Sequence, residues 1–96
     1  MAAAQQNFSV KDPDFESRGR ASFARQPMMP TLGVTLETIE PGLAEMSMPH
    51  APHILQQHGF VHAGALSALV DNACGFAAMT LMPKGTGVLT VEFKMN

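Results

Sequence analysis

One cysteine in 96 residues, Cys74, leaves no internal disulfide framework. A lone thiol inside an apolar stretch suits a reducing compartment, where it packs as a small hydrophobe, and the cytoplasm is the default expectation. Charge is scarce as well. Asp, Glu, Lys and Arg make up 15% of the chain and leave a formal net charge of -2, against an apolar fraction of 46%. That balance speaks for a globular chain and offers neither nucleic acid nor an anionic membrane a basic surface. The N-terminus lacks the apolar run of a secretory signal, and its acidic residues do not suit a transit peptide. There is no internal repeat, no sign of a second domain and no Gly-rich phosphate loop joining a strand to a helix. A chain of this length holds one small domain with limited burial, so a stable monomer is marginal.

Residues 1–11, rich in Ala, Gln and Asn, read as a flexible leader, and 12–96 as one domain. Asp12-Pro13 resembles an N-cap followed by proline at the first helical position, with Glu16 in the first turn, so a short helix is expected from Pro13 to about Arg25, weakened by Gly19. Pro27 and Pro30 then break the chain. Leu32 to Ile39 alternates as a strand whose inward face is ambiguous, Pro41-Gly42 is a turn signal, and Leu43 to Met48 completes an antiparallel hairpin. A loop rich in proline and histidine, Pro49 to Gly59, leads to a long apolar helix closed by Pro83-Lys84-Gly85. Val88 to Met95 is expected as a third strand, with Leu89, Val91, Phe93 and Met95 on one face.

That helix concentrates the chemistry. Ala63 to Met82 is about as long and apolar as a membrane span, but Asp71-Asn72 at its centre, its many small residues and the absence of flanking basic asymmetry favour a buried core helix. A carboxylate in such surroundings is expensive unless paired, hydrated or put to use. On these residues alone Asp71 is either a functional group or a hydrogen-bonded residue that sets the register of two packed chains. A helix apolar all round must be wrapped on nearly all sides, which three short strands cannot do, so the domain is expected to be incomplete or finished by another chain.

His58-Gly59-Phe60-Val61-His62-Ala63-Gly64, then Leu69-Val70-Asp71-Asn72, then Gly87 to Asn96 (GVLTVEFKMN), resemble the hotdog-fold acyl-CoA thioesterases, specifically the branch that includes the phenylacetate-degradation thioesterase. The match covers about Ser22 to Asn96 and is densest from Gln56 onward. The resemblance implies an α+β fold in which an antiparallel sheet wraps one long central helix, and a homodimer or homotetramer in which the sheets of two subunits become continuous. It also implies further strands beyond the position of Asn96.

It further implies roles. Thioester hydrolysis needs donors at the carbonyl oxygen, a carboxylate that attacks or activates water, and groups that hold the water and the leaving thiolate. A helix beginning near Ala63 turns the free N–H groups of Ala63 and Gly64 out of its positive end, suited to an oxyanion. Relatives usually carry glycine at the first of these positions. By resemblance Asp71 is the catalytic nucleophile or general base and acts across the dimer interface. His62 and Gln56 support it, with Gln57 as substitute for Gln56 if the loop register slips by one, and Gly59 and Thr90 join Ala63 and Gly64 as substrate contacts. Thr90 matches a hydroxyl position that relatives place near the carboxylate and otherwise serves as a half-buried strand residue, and His62 otherwise serves as a structural hydrogen-bonding group. The eight methionines fill the core or line an adaptable acyl pocket.

No cofactor is expected. His50, His53, His58 and His62 fit no compact metal-ligand spacing, and no cysteine accompanies them. The reading is therefore an acyl-CoA thioesterase acting on aryl or short to medium acyl chains. The alternatives are a non-catalytic acyl-CoA or acyl-carrier binding module, or a fragment inactive by itself. A hydratase lacks support because the helix carries no Asp-His arrangement.

Overall fold

In the computed structural model, which describes residues 7–96, the first turn is built on a buried carboxylate. Asp12 is only 3% exposed, and its Oδ1 accepts the backbone N–H of Asp14 at 2.9 Å. The expected cap at Asp12 thus closes the turn that precedes the helix, and Asp14 becomes the N-cap of α1, Phe15–Ala24. The two prolines beyond it do not simply break the chain. Pro27 caps, and Pro30 sits in the first turn of, a second short helix, α2, Met28–Leu32. A missing N–H is harmless there, because first-turn amides have no partner within their helix.

Strands β1, Thr35–Glu40, and β2, Leu43–Ser47, form the expected antiparallel hairpin around Pro41-Gly42. The ambiguity of face is resolved by a bulge. Leu36 pairs with Met46 and Thr38 with Glu45, which leaves Glu37 as an extra residue. The bulge resets the alternation, so Leu36 and Ile39, three positions apart, both turn inward. Gly42 has φ 73° and a Cβ there would lie 2.5 Å from the Phe8 ring, so the turn needs glycine both for its backbone and for the ring laid against it. Phe8 belongs to the expected leader, of which residues 1–6 lie outside the described residues.

After a 3-10 turn at Pro52–Ile54, the long helix α3 spans Ala63–Met79, starting where expected and ending before Met82. Its Ala65, Asn72, Phe76 and Met79 are buried. Phe76 and Met79 join Ile39 in the core, with Phe15, Phe23, Ala44 and Met46 packed around them. Phe23 and Phe76 meet edge to face at 5.9 Å. The glycine that weakens α1 has a use here: a Cβ on Gly19 would come within 2.5 Å of Ile39 Cδ1 and 2.8 Å of Met79 Cε. Its absence lets α1 settle onto the hairpin and α3.

The described residues do not wrap the helix on all sides, as expected with so few strands: Leu66, Val70 and Cys74, four residues apart, are exposed. Two expectations are corrected. Cys74 therefore does not pack as a buried hydrophobe. Val88 to Met95 is not a strand either. A strand exists by pairing, and among the described residues this segment has no strand beside it. It crosses α3 instead, with the Ser67 hydroxyl donating to Met95 Sδ at 3.0 Å, and Leu89 and Val91 face outward. Among the described residues no helix is long and apolar enough to cross a membrane.

The C-terminal end of α3 is tied down twice. The fully buried Thr80 hydroxyl accepts the Gly42 N–H at 2.8 Å and donates to the Ala77 carbonyl at 2.6 Å, joining the hairpin turn to the helix. The Arg18 guanidinium donates to the carbonyls of Met79, Met82 and Pro83 at 2.9, 3.0 and 2.7 Å, and its Nε stands 3.3 Å from Asp12 Oδ2. Thr80→Val keeps the shape and strands the Gly42 amide. A loss of about 1–3 kcal/mol is expected, read as a lower urea midpoint with unchanged slope. An unchanged midpoint would show that the tie contributes nothing.

Candidate active site

The candidate residues fall into two groups on α3. The first is built by the turn that enters the helix. Leu55 and Val61 form an isolated antiparallel bridge, and the His62 amide donates to the Ile54 carbonyl at 2.8 Å. Within this turn the Gln56 amide donates to the Phe60 carbonyl at 2.8 Å, and the Gly59 amide donates to the Gln56 carbonyl at 3.0 Å. The Gln56 side chain is used as well, its Oε1 accepting the His58 N–H at 2.5 Å. Gly59, at φ 87°, makes the tight return possible.

His62 is the N-cap of α3, and its Nδ1 accepts the Gly64 N–H at 2.8 Å. Histidine is an uncommon cap, but an unprotonated Nδ1 does the work of a Ser or Asp oxygen. Gly64 is matched to it: a Cβ there would lie 2.9 Å from Nδ1. Of the two amides expected to face an oxyanion, that of Gly64 is therefore engaged by His62. That of Ala63 meets no acceptor among the described residues.

The second group lies further along the helix. Thr90 Oγ1 donates to Asp71 Oδ1 at 2.8 Å, so the segment that crosses α3 orients the carboxylate. Both residues line a cleft of about 590 Å³ between α1, α3 and residues 85–90, with Arg18, Arg25 and Gln26 on the facing wall. Asn72, one residue on, turns inward: its Oδ1 accepts from Gln26 Nε2 at 2.9 Å and its Nδ2 reaches Met46 Sδ at 3.2 Å. Successive helical residues point about 100° apart, so of these two residues lining the cleft Asn72 is buried at its base and Asp71 is the more open.

Asp71 and Thr90 are thus brought together, whereas Gln56, Gly59, His62, Ala63 and Gly64 are gathered at the helix entrance and do not line the cleft. Eight residues separate Ala63 from Asp71, about 12 Å along a helix. No single carbonyl carbon can be within bonding reach of both. Arg18 and Gln26 escaped the sequence reading, and Asn72 was noted there without a role. The contacts of Arg18 and Gln26 reach across 46 to 65 residues, for which no local pattern exists.

An antiparallel hairpin laid on one long helix that carries a carboxylate midway is an α+β arrangement of the hotdog type. A thioesterase family protein from Silicibacter pomeroyi has a crystal structure matching this one at a TM-score of 0.83 and 51% identity, over 85% of this chain and 60% of that one. The chain thus spans less than two thirds of that protein's length. Residues 18–96 match the family described as a domain of unknown function, DUF4442, and the chain belongs to it. No curated protein matches the chain.

The His62 cap can be tested apart from any activity. His62→Ala is expected to lower stability by about 1 kcal/mol, or about 4–8 °C in melting temperature. His62→Asn should retain most of it, and equal melting of all three proteins would remove the capping role.

Proposed function

We propose that this protein hydrolyses acyl thioesters, with coenzyme A esters of aryl or short to medium acyl chains as substrates, at sites shared between two copies of the chain. One observation carries the reading. The Thr90-oriented carboxylate of Asp71 opens on a cleft, while the free amide at the start of the same helix lies about 12 Å away. Two half-sites that cannot meet within one chain can meet between two, and the exposed Leu66 and Val70 on α3 supply apolar surface for such an association. The likeness to a thioesterase family protein points to the same chemistry.

In this scheme residues 12–96 form the acting domain. Asp71 removes a proton from water as the water oxygen attacks the thioester carbonyl, or attacks that carbonyl itself to give an anhydride that water then opens. The oxyanion is received by the Ala63 amide of the second copy, joined by Gly64 once the His62 ring turns away from it. Collapse expels the thiolate, which takes up a proton. Gln56 orients the water through its amide NH2, Gly59 lets the substrate approach the backbone, and His62 steadies the carbonyl or the departing thiolate. An aryl preference follows from likeness to the phenylacetate-degradation branch. The scheme needs two copies, which a homodimer supplies and a tetramer of two such dimers supplies equally.

A second reading rests on the Gly64 amide, which is already bound by His62. A protein that kept this bond would hold an acyl thioester without turning it over. Thiol release from a panel of aryl and aliphatic acyl-CoA esters separates the two. For the hydrolase, Asp71→Asn is expected to lower kcat by about 10²–10⁴-fold with little change in KM. Acyl-CoA binding without thiol release, equal in wild type and variant, would leave the binding module.

A further inference from the structure

We propose that Arg18, on the first helix, is a positioning residue for Asp71: it fixes the path by which Thr90 reaches the carboxylate. The inference rests on the proposed role of Asp71 and on the course of the chain between the end of α3 and Thr90. That segment belongs to no helix or strand and is exposed from Pro83 onward. An exposed irregular segment holds a hydroxyl on a carboxylate only if something fixes where it starts.

The Pro83 carbonyl is that starting point. It accepts from Arg18 Nη1 at 2.7 Å and from Thr86 Oγ1 at 2.6 Å. The same guanidinium holds the Met79 and Met82 carbonyls through Nη2, so one planar fork fixes three carbonyls of the departing chain. Asp12, buried to 3% exposure, holds the fork from behind, its Oδ2 3.3 Å from Nε. From this anchor the chain passes Gly85 and Gly87 and returns over the cleft, where Thr90 Oγ1 stands 2.8 Å from Asp71 Oδ1. Arg18 itself lines that cleft, but its guanidinium is engaged by backbone carbonyls and by Asp12. Its influence on Asp71 therefore runs through the chain it clamps.

Lysine in its place keeps the charge and loses the fork, since one ammonium cannot reproduce the planar geometry that serves all three carbonyls and Asp12. The test compares Arg18→Lys, Thr90→Val and the double variant, with Ile39→Ala as a core variant of lowered stability that leaves the Arg18 and Thr90 side chains intact. All are assayed well below their melting temperatures on the full chain. The first readout is the carbon NMR shift of the Asp71 carboxylate at fixed pH. In Arg18→Lys it is expected to move toward its value in Thr90→Val, with no further movement in the double variant and none in Ile39→Ala.

The second readout is acyl-CoA hydrolysis. Arg18→Lys is expected to lower kcat by about tenfold with KM within about twofold, and to have almost no effect once Thr90 is valine. An Asp71 carbon unmoved by Arg18→Lys, or moved equally by Ile39→Ala, overturns the proposal. So do kcat losses that multiply independently in the double variant. Absence of thioester turnover in the wild type counts against the hydrolase reading alone, because the carbon shift still decides whether Arg18 controls the Thr90–Asp71 contact.

Discussion

A straight α-helix holds its residues at fixed spacing, and that rigidity governs what α3 can do. With a rise of about 1.5 Å per residue, the 17 residues from Ala63 to Met79 form a rod of about 25 Å. Its entrance carries a free amide and a histidine cap, its middle a carboxylate, and its end two ties to the rest of the chain. None of these can approach another without breaking backbone hydrogen bonds. Whatever chemistry the helix supports must therefore be assembled by bringing other elements to it. The segment after α3 brings Thr90, α1 brings Arg18, the turn after α1 brings Gln26, and on the proposed reading a second copy brings the amides.

The same rod resolves the problem of placing polar groups in apolar sequence. Asn72 points inward and would be costly if left unpaired, so Gln26 and the Met46 sulfur meet it. Asp71, about 100° around the helix, lies at the cleft, half-buried, where water reaches one side and Thr90 the other. Moving the carboxylate one position along the helix would exchange these surroundings. The order Asp then Asn is thus a structural choice: the charged group takes the wet side and the neutral amide the packed one.

Much of this was legible in the sequence where the cause was local. The entrance of α3 at Ala63 follows from the Gly- and His-rich turn before it, and the hairpin from Pro41-Gly42 between alternating runs. The bulge at Glu37 was not legible, because a strand alternates locally whether or not one residue is extra. Nor was the absence of the third strand: Val88 to Met95 has the pattern of a strand, but pairing is a property of neighbours. Pro27 and Pro30 read as breakers, since proline marks the first turn of a helix and the end of one by the same missing N–H. For the site, the proximity of Thr90 to Asp71 was suggested by the resemblance and not by spacing. Arg18 was invisible because its distant partners are backbone carbonyls, which any sequence supplies.

Local stability and the site also share parts. Isolated apolar side chains on a surface are ordinary, but Leu66, Val70 and Cys74 stand one turn apart on a single helix face. Leu89 and Val91, on the segment that carries Thr90, are exposed as well. Covering the helix face removes apolar area from water and stabilises the chain; covering the tail orders the segment that carries Thr90. On the proposed reading the covering copy is also the source of the missing amides. Burial and site completion then occur in one step, and a site split between copies lets the free energy of association supply the order that an exposed tail cannot supply for itself.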